Sequence, residues 1–339
     1  MATNNFKPFA VGSGANVTSQ TDYEALAALL TGFQSGKASS AQINKAIRQS
    51  TVMASVLAQY ISDVASVDVL DNGTTANVLS NLKSAVQLAA KNTAIPLMTG
   101  VVGLSRNARM TVTSASSIAD FLADELIVNS ALGGNQYRLK SVSARITLTI
   151  TGAGGMDTGS APATGYVAVY VIYNPTSGSV ALLGMDATSA LAPEVYGGAN
   201  MPAGYTASSL VAVWPTASGQ FVIGNLIGRK IEVATRTLLS SSTVNANRVS
   251  LNTTLFPLNA KSIYGNMSVG STASSSCSVV VWGANSQVGG MPFSQTVVAG
   301  GAYAATFSAV SVTNQTIGWS SGNTAGTPTF AIGMGAYEF

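Results

Sequence analysis

Histidine is absent from the sequence. That excludes Ser-His-Asp and Cys-His nucleophile activation, imidazole ligation of zinc and a histidine pH switch. The single cysteine, Cys277, cannot close a disulfide within the chain. In SSSCSVVVW it reads as a small buried strand residue, and folding in a reducing compartment is favoured. Charge is scarce too: 9% of residues are Asp, Glu, Lys or Arg, against about 25% in an ordinary soluble domain. Sixteen basic and 13 acidic residues give a net charge of +3. They are scattered, six basic and five acidic falling before Gly100, and no Lys/Arg run forms the footprint of a nucleic-acid surface. No stretch approaches the ~18 uninterrupted apolar residues of a membrane helix. MATNNFKPFAVG lacks a charged leader followed by a long apolar run. Neither membrane insertion nor a secretory leader is therefore expected, and no cofactor or metal.

What is present is apolar. Hydrophobic residues make up 47% of the chain, so much of the surface must be Ser, Thr, Asn, Gln and Gly, a surface suited to burial against copies of itself. The length allows about two domains at roughly 150 residues each, and the character changes once, near Gly100. Residues 1 to about 18 read as an extended arm in which Phe6 and Phe9 flank Pro8, either a docking element or an unstructured terminus. In TDYEALAALLTG, Thr21 and Glu24 have capping-box spacing and Gly32 follows the last apolar pair, predicting a helix of about ten residues. Ser39 and Gln42 open a second box. From there Ile43, Ile47, Ser50, Ala54, Leu57, Ile61 and Val64 alternate spacings of 4 and 3, the seam of a coiled coil. Ala46, Met53, Val56 and Tyr60 widen it. Two readings stand: packing against neighbouring helices of the same chain, or self-association around a threefold axis. A third helix carries Leu79, Leu82, Val86 and Ala89 and ends before Pro96. Residues 1–98 thus form a small helical module.

Beyond Gly100 the period becomes two. RITLTI sets Ile146, Leu148 and Ile150 on one face, as in a half-buried strand. YVAVYVIY, residues 166–173, is apolar on both faces, as in a covered central strand. LVAVW, QFVIG, KIEVA, SVVVW and TFAIGMGAYEF are further strands, separated by Gly/Pro-rich turns. The longest helical pattern in this part is SSIADFLADEL. The fold class is therefore α+β, multidomain: a helical module followed by an antiparallel β-sandwich or jelly roll over 99–339, with a division near residue 245 left open.

Signals for catalysis are few. Asp124, Glu125, Asp157, Asp186 and Glu194 are the carboxylates from which a glycosidase pair would have to come. Asp157 in GMDTG reads as a turn residue, and GAGGMDTG lacks the Lys of a phosphate loop. Arg229, Lys230 and Arg236 in GNLIGRKIEVATR read as a solvated strand face or a subunit contact. Sugars are held by an aromatic face together with Asn, Gln and Ser hydrogen bonds. Such residues cluster at Tyr196, Asn200 and Tyr205, and at Trp319 and Asn323. Trp214 and Trp282 end apolar strands and read as core.

Residues 4–63, NNFKPFAVGSGANVTSQTDYEALAALLTGFQSGKASSAQINKAIRQSTVMASVLAQYISD, resemble the N-terminal module of tail fibre proteins of tailed bacteriophages. MDTGSAPATGYVAVYVIYNP, MPAGYTASSLVAVW and GRKIEVA are similar, more loosely, to a β-rich C-terminal domain of the same proteins. The resemblance covers residues 4 to about 235. It implies a virion-attached N-terminus, assembly in the host cytoplasm and a distal domain directed at a host-surface glycan or outer-membrane receptor. It also assigns Asp157, Gly159, Pro202, Gly204 and Tyr205 to turn framework. The expected protein is a non-enzymatic homotrimer with Phe6, Phe9, Ile43, Ile47, Ala54, Leu57 and Ile61 at its attachment and trimer interface. Tyr196, Asn200, Trp319 and Asn323 are the receptor-binding candidates. In such a trimer sister subunits would conceal the apolar helix rows and the doubly apolar strands, and weak contacts would be multiplied by avidity. The alternatives are a structural tail adaptor or decoration protein and a polysaccharide-depolymerising tailspike. Against the tailspike stand the missing 20–25-residue solenoid repeat and the few acidic residues.

Overall fold

A computed structural model describes residues 2–34, 39–94, 100–284 and 287–339. The chain divides into two compact units, 1–98 and 99–339.

In the first unit, α1 (Gln20–Glu24) is capped by Ser19, whose side chain accepts from the Asp22 amide. The cap thus comes from Ser19 and Asp22 rather than Thr21 and Glu24, and the expected ten-residue helix is split. Its second piece, α2 (Ala28–Thr31), stops at Gly32 with φ 70, a left-handed value that glycine tolerates best. The long helix α3 (Ser40–Ala65) has Ser39 at its N-cap without a side-chain hydrogen bond, so the second capping box does not form either. It ends where Ser66 turns left-handed at φ 54. The fourth helix, α4 (Thr75–Ala94), follows the DNG turn; Pro96 lies outside the described residues.

Ala58, Ile61, Val69 and Ala85 form the core of this unit, with Phe6, Val78 and Leu82 packed against it. The arm lies along α3. Val69 donates to the Thr3 carbonyl at 2.8 Å and accepts from the Asn5 amide at 3.0 Å, while the Asn4 side-chain amide reaches the Ser55 carbonyl and Gln59 Oε1, each at 3.2 Å.

The second unit is built of short strands: β1 (Ser105–Arg106), β2 (Arg109–Val112), β3 (Ile118–Asn129), β4 (Gln136–Thr147), β5 (Gly155–Met156) and β6 (Thr164–Tyr173). Then come β7 (Val180–Asp186), β8 (Ala207–Ala217), β9 (Gln220–Phe221), β10 (Gly224–Ile227), β11 (Lys230–Ser241) and β12 (Val249–Asn252). The last are β13 (Ser262–Ser271), β14 (Ser275–Trp282), β15 (Met291–Val297), β16 (Ala302–Ser311), β17 (Thr316–Asn323) and β18 (Pro328–Glu338).

The larger sheet runs β16-β13-β18-β11-β10-β2-β3-β8-β6-β7-β5, with β1 and β4 also on β3 and β9 on β8. The smaller runs β12-β17-β14-β15 and lies against β13, β16 and β18. Among the described residues only β5 on β7 is a parallel strand pair. One continuous core extends through both sheets, past residue 245. Across it the Tyr166 hydroxyl donates to the Thr254 carbonyl at 2.9 Å, and Asn259 exchanges two hydrogen bonds with the Ala192 backbone.

Three expectations are corrected here. SSIADFLADEL is not helical: it forms most of β3, where Ala119, Phe121 and Ala123 point inward and, after a change of frame at Asp124 and Glu125, Leu126 and Val128 do so. That frame change produces spacings of three and four that imitate a helix. Ile150 is exposed, because β4 ends at Thr147 and the chain turns. Finally, residues 166–172 of β6 and 207–216 of β8 are buried by the chain's own fold. Flanking strands and both faces of the core cover them, and no sister subunit is needed.

Candidate recognition sites

The expected seam of α3 divides in two. Ile61 is fully buried and Val64 packs beside it in the unit's own core, with Phe6 partly buried against it, so Ile61 is not available to an intermolecular interface. Ile43 is half-buried. Between these ends the seam is open: Ile47, Ser50, Ala54 and Leu57 are all exposed. Of the flanking row Met53, at 69%, Val56, at 58%, and Tyr60 are exposed too, while Ala46 is half-buried. Phe9 is exposed, its amide held by Thr51 Oγ1 at 3.0 Å. Along this stretch of α3 the only charged side chain is Arg48. Exposed apolar side chains at 3/4 spacing over three turns, without charge to keep them solvated, are suited to covering by another helix.

In the β-rich unit, Tyr196 is 7% exposed. Its hydroxyl donates to Asp157 Oδ2 at 2.8 Å and accepts from the Asn200 amide at 3.3 Å, and its ring meets Tyr170 edge-on at 5.5 Å. Burial and then the Asp157 carboxylate push the Tyr196 hydroxyl up to about 12. Tyr196 therefore pins its loop and has no ring face to offer, while Asn200 is exposed. Trp319 is 5% exposed, inside the core. Asn323 is spent on a turn: its amide donates to the carbonyls of Ala325 and Gly326, and its oxygen accepts from Ser275. As an aromatic recognition surface the Tyr196 and Trp319 assignments fail, because each ring supplies core packing instead.

Trp282 is the reverse case. Along β14, Cys277, Val279 and Val281 are buried while Ser276, Ser278, Val280 and Trp282 face the other way. The indole N–H donates to Ser320 Oγ on β17 at 3.0 Å. The far edge of the ring lies against Gly290, just before β15. Alternation signalled this orientation, since inward Val279 and Val281 require an outward Trp282, but the unbroken apolar run VVVW concealed it.

The carboxylates are engaged elsewhere. Glu194 is gripped by both terminal nitrogens of Arg229, at 2.8 and 2.9 Å. The Arg229 guanidinium also donates to the Phe339 carbonyl at 2.8 Å and lies 4.6 Å from the centre of its ring. Asp124 accepts from the Asn107 side chain at 2.6 Å, and Asp186 from the Thr188 amide at 2.9 Å. Among the described residues no group of three or more His, Cys, Asp or Glu side chains could hold a metal ion, and no helix is long and apolar enough to cross a membrane.

No family model and no curated protein matches the chain. Among solved structures it is similar to a tryptic core variant of Bacillus thuringiensis Cry1Da, at 12% identity and TM-score 0.17, covering 74% of this chain and 54% of that one. It is also similar to the insecticidal crystal protein Cry2Aa, at 13% identity and TM-score 0.19, covering 73% and 53% respectively. The chain spans about half the length of these structures. Overlaps this low carry no argument about fold or activity.

Proposed function

We propose that the protein is a homotrimeric tail fibre or receptor-binding protein of a tailed bacteriophage, with a jelly-roll-like distal domain and no catalytic role. Residues 1–98 attach to structural proteins of the tail, and residues 99–339 meet a host-surface glycan or outer-membrane receptor. The virion is its final location, after assembly in the host cytoplasm. The observation that carries this reading is the exposed apolar face Ile47–Met53–Leu57 of α3, on the very segment that resembles a virion-attachment module. Three copies placing those faces together would bury them, and a trimer would repeat any weak glycan contact threefold. The engagement of Glu194, Asp124 and Asp186 in structural contacts favours binding over polysaccharide cleavage.

The test uses the full chain on cells of a susceptible host. Saturable binding that competes with infection, without release of new reducing ends from surface polysaccharide, is the expected result. Absence of binding would turn the assignment towards a structural tail adaptor. Release of oligosaccharides would turn it towards a depolymerising tailspike.

A further inference from the structure

The outer face of the four-stranded sheet is chemically unlike the rest of the molecule. Strands β12, β14, β15 and β17 contain no Asp, Glu, Lys or Arg. Most of their outward positions are small or hydroxylated, as where Ser278 stands opposite Ser294, with Val280 opposite Pro292 as the apolar pair. Trp282 lies among them. With its N–H on Ser320 Oγ and its opposite edge at Gly290, the indole spans from β17 to β15 across its own strand. Gly318 is its direct partner on β17. A Cβ at Gly290 would fall inside contact distance of the ring, so glycine there is what allows the indole to lie down.

Arg248 completes the arrangement. Its guanidinium occupies the space a side chain at Gly318 would take, one strand from Trp282. It donates to the carbonyls of Gly283, at 3.0 Å, and Ala284, while its Nε–H is buried without a partner. Among the described residues no carboxylate pairs with it. A flat indole whose own donor is already satisfied, flanked by hydroxyls and one uncompensated cation, has the chemistry of a sugar platform. The apolar C–H face of a pyranose stacks on the ring, its hydroxyls meet Ser side chains, and a carboxylate on the sugar answers the guanidinium. A protein partner would find neither a large apolar patch nor a pattern of charges here.

We propose that this face, centred on Trp282 with Arg248 beside it, binds an acidic pyranose residue of a surface glycan. The proposal rests on the receptor-binding reading above and locates that function on residues outside the Tyr196 and Trp319 segments.

Trp214 and Trp319 are buried, so a ligand-dependent change in tryptophan emission of the full-length protein reports on Trp282. The probes are uronate oligosaccharides and their neutral counterparts at millimolar concentration. Expected are a saturable change with the acidic probe, binding of the neutral one weaker by about tenfold, and loss of the acidic preference in Arg248→Gln. Trp282→Ala and Trp282→Phe lack the reporter and are read with the unmodified protein by titration calorimetry, where Trp282→Ala should bind neither probe. Because Arg248 also ties down backbone carbonyls, Trp282→Phe provides a second variant: it keeps a flat ring and should bind several-fold more weakly with unchanged thermal stability. No saturable change, an equal response to both probes, or unaltered binding by Trp282→Ala would each overturn the assignment. So would emission that depends on protein concentration alone, since that marks a second copy as the occupant. If the unmodified protein binds host cells and Trp282→Ala binds them equally, this site is refuted while receptor binding stands.

Discussion

Leu57 and Ile61 lie four residues apart on α3, in one expected seam, yet they should respond oppositely to truncation. Ile61 is fully buried beside Ala58, Val69 and Ala85. Replacing it with Ala removes three buried carbons and leaves a cavity, a change that costs about 3 kcal/mol in a packed core. The helical unit should melt markedly earlier at every protein concentration. Leu57 is 47% exposed, so Leu57→Ser should cost the folding of a single chain only about 1 kcal/mol, from the half already buried, well below the loss in Ile61→Ala. Its exposed half is what assembly would bury. Fully burying a leucine contributes about 1.5–3 kcal/mol, so the exposed half contributes about 1 kcal/mol per copy and about 3 kcal/mol per trimer. At tenfold per 1.4 kcal/mol, the trimer constant should fall by about a hundredfold, and the midpoint concentration, which follows its square root, should rise about tenfold. Sedimentation equilibrium over a thousandfold concentration range, paired with thermal melts, separates the two effects. An unchanged association midpoint in Leu57→Ser, or a melting loss equal to that of Ile61→Ala, would refute the division of α3 into a core half and an intermolecular half.

Other consequences are open to direct measurement. Burial pushes the Tyr166 hydroxyl up to about 12 and holds those of Tyr170 and Tyr337 well above the ordinary value. A raised folded-state value stabilises the fold fully below pH 10 and is lost as pH rises towards 12. At 1.36 kcal/mol per pH unit the Tyr166 contribution is about 3 kcal/mol. An ultraviolet titration should show the Tyr166, Tyr170 and Tyr337 hydroxyls ionising only as the β-rich unit unfolds; their ionisation near pH 10 with the fold intact contradicts this. Arg229→Met removes the bidentate partner of Glu194, leaving it Lys261 at 3.8 Å, and a donor to the Phe339 carbonyl. It should destabilise the β-rich unit by about 2 kcal/mol in denaturant titration, whereas Arg145→Met, at an exposed pair with Asp120, should leave its stability nearly unchanged. Cys277 is fully buried and should react with a thiol reagent only after unfolding.

Much of the architecture was legible because two periods are hard to mistake. Spacings of three and four over Ile43–Val64 announced α3, the apolar run 166–173 announced a covered strand, and 210–214 announced a further one. Errors arose where a pattern had two physical causes. Ile118, Phe121, Leu122 and Leu126 look helical because β3 changes frame at Asp124, and the strand's partners decide the matter. The α3 seam contains both core and surface positions because α4 and the N-terminal arm cover only part of it, which a single helix's periodicity cannot reveal. Aromatics proved least legible. Gly- and Ser-rich surroundings suggested that Trp319 was on the surface, yet small residues there let it enter the core. Trp282, in an apolar run, turned outward with its neighbours Val279 and Val281 fixed inward.

The central claim is that the open face of α3 is covered by other copies of this chain. Its most direct test is the mass of the purified full-length protein in dilute solution, measured by light scattering or sedimentation. Three times the mass of one 339-residue chain, persisting into the low-micromolar range, is the predicted result. A well-behaved monomer at the same concentrations, with Met53 and Leu57 open to solvent, would contradict it.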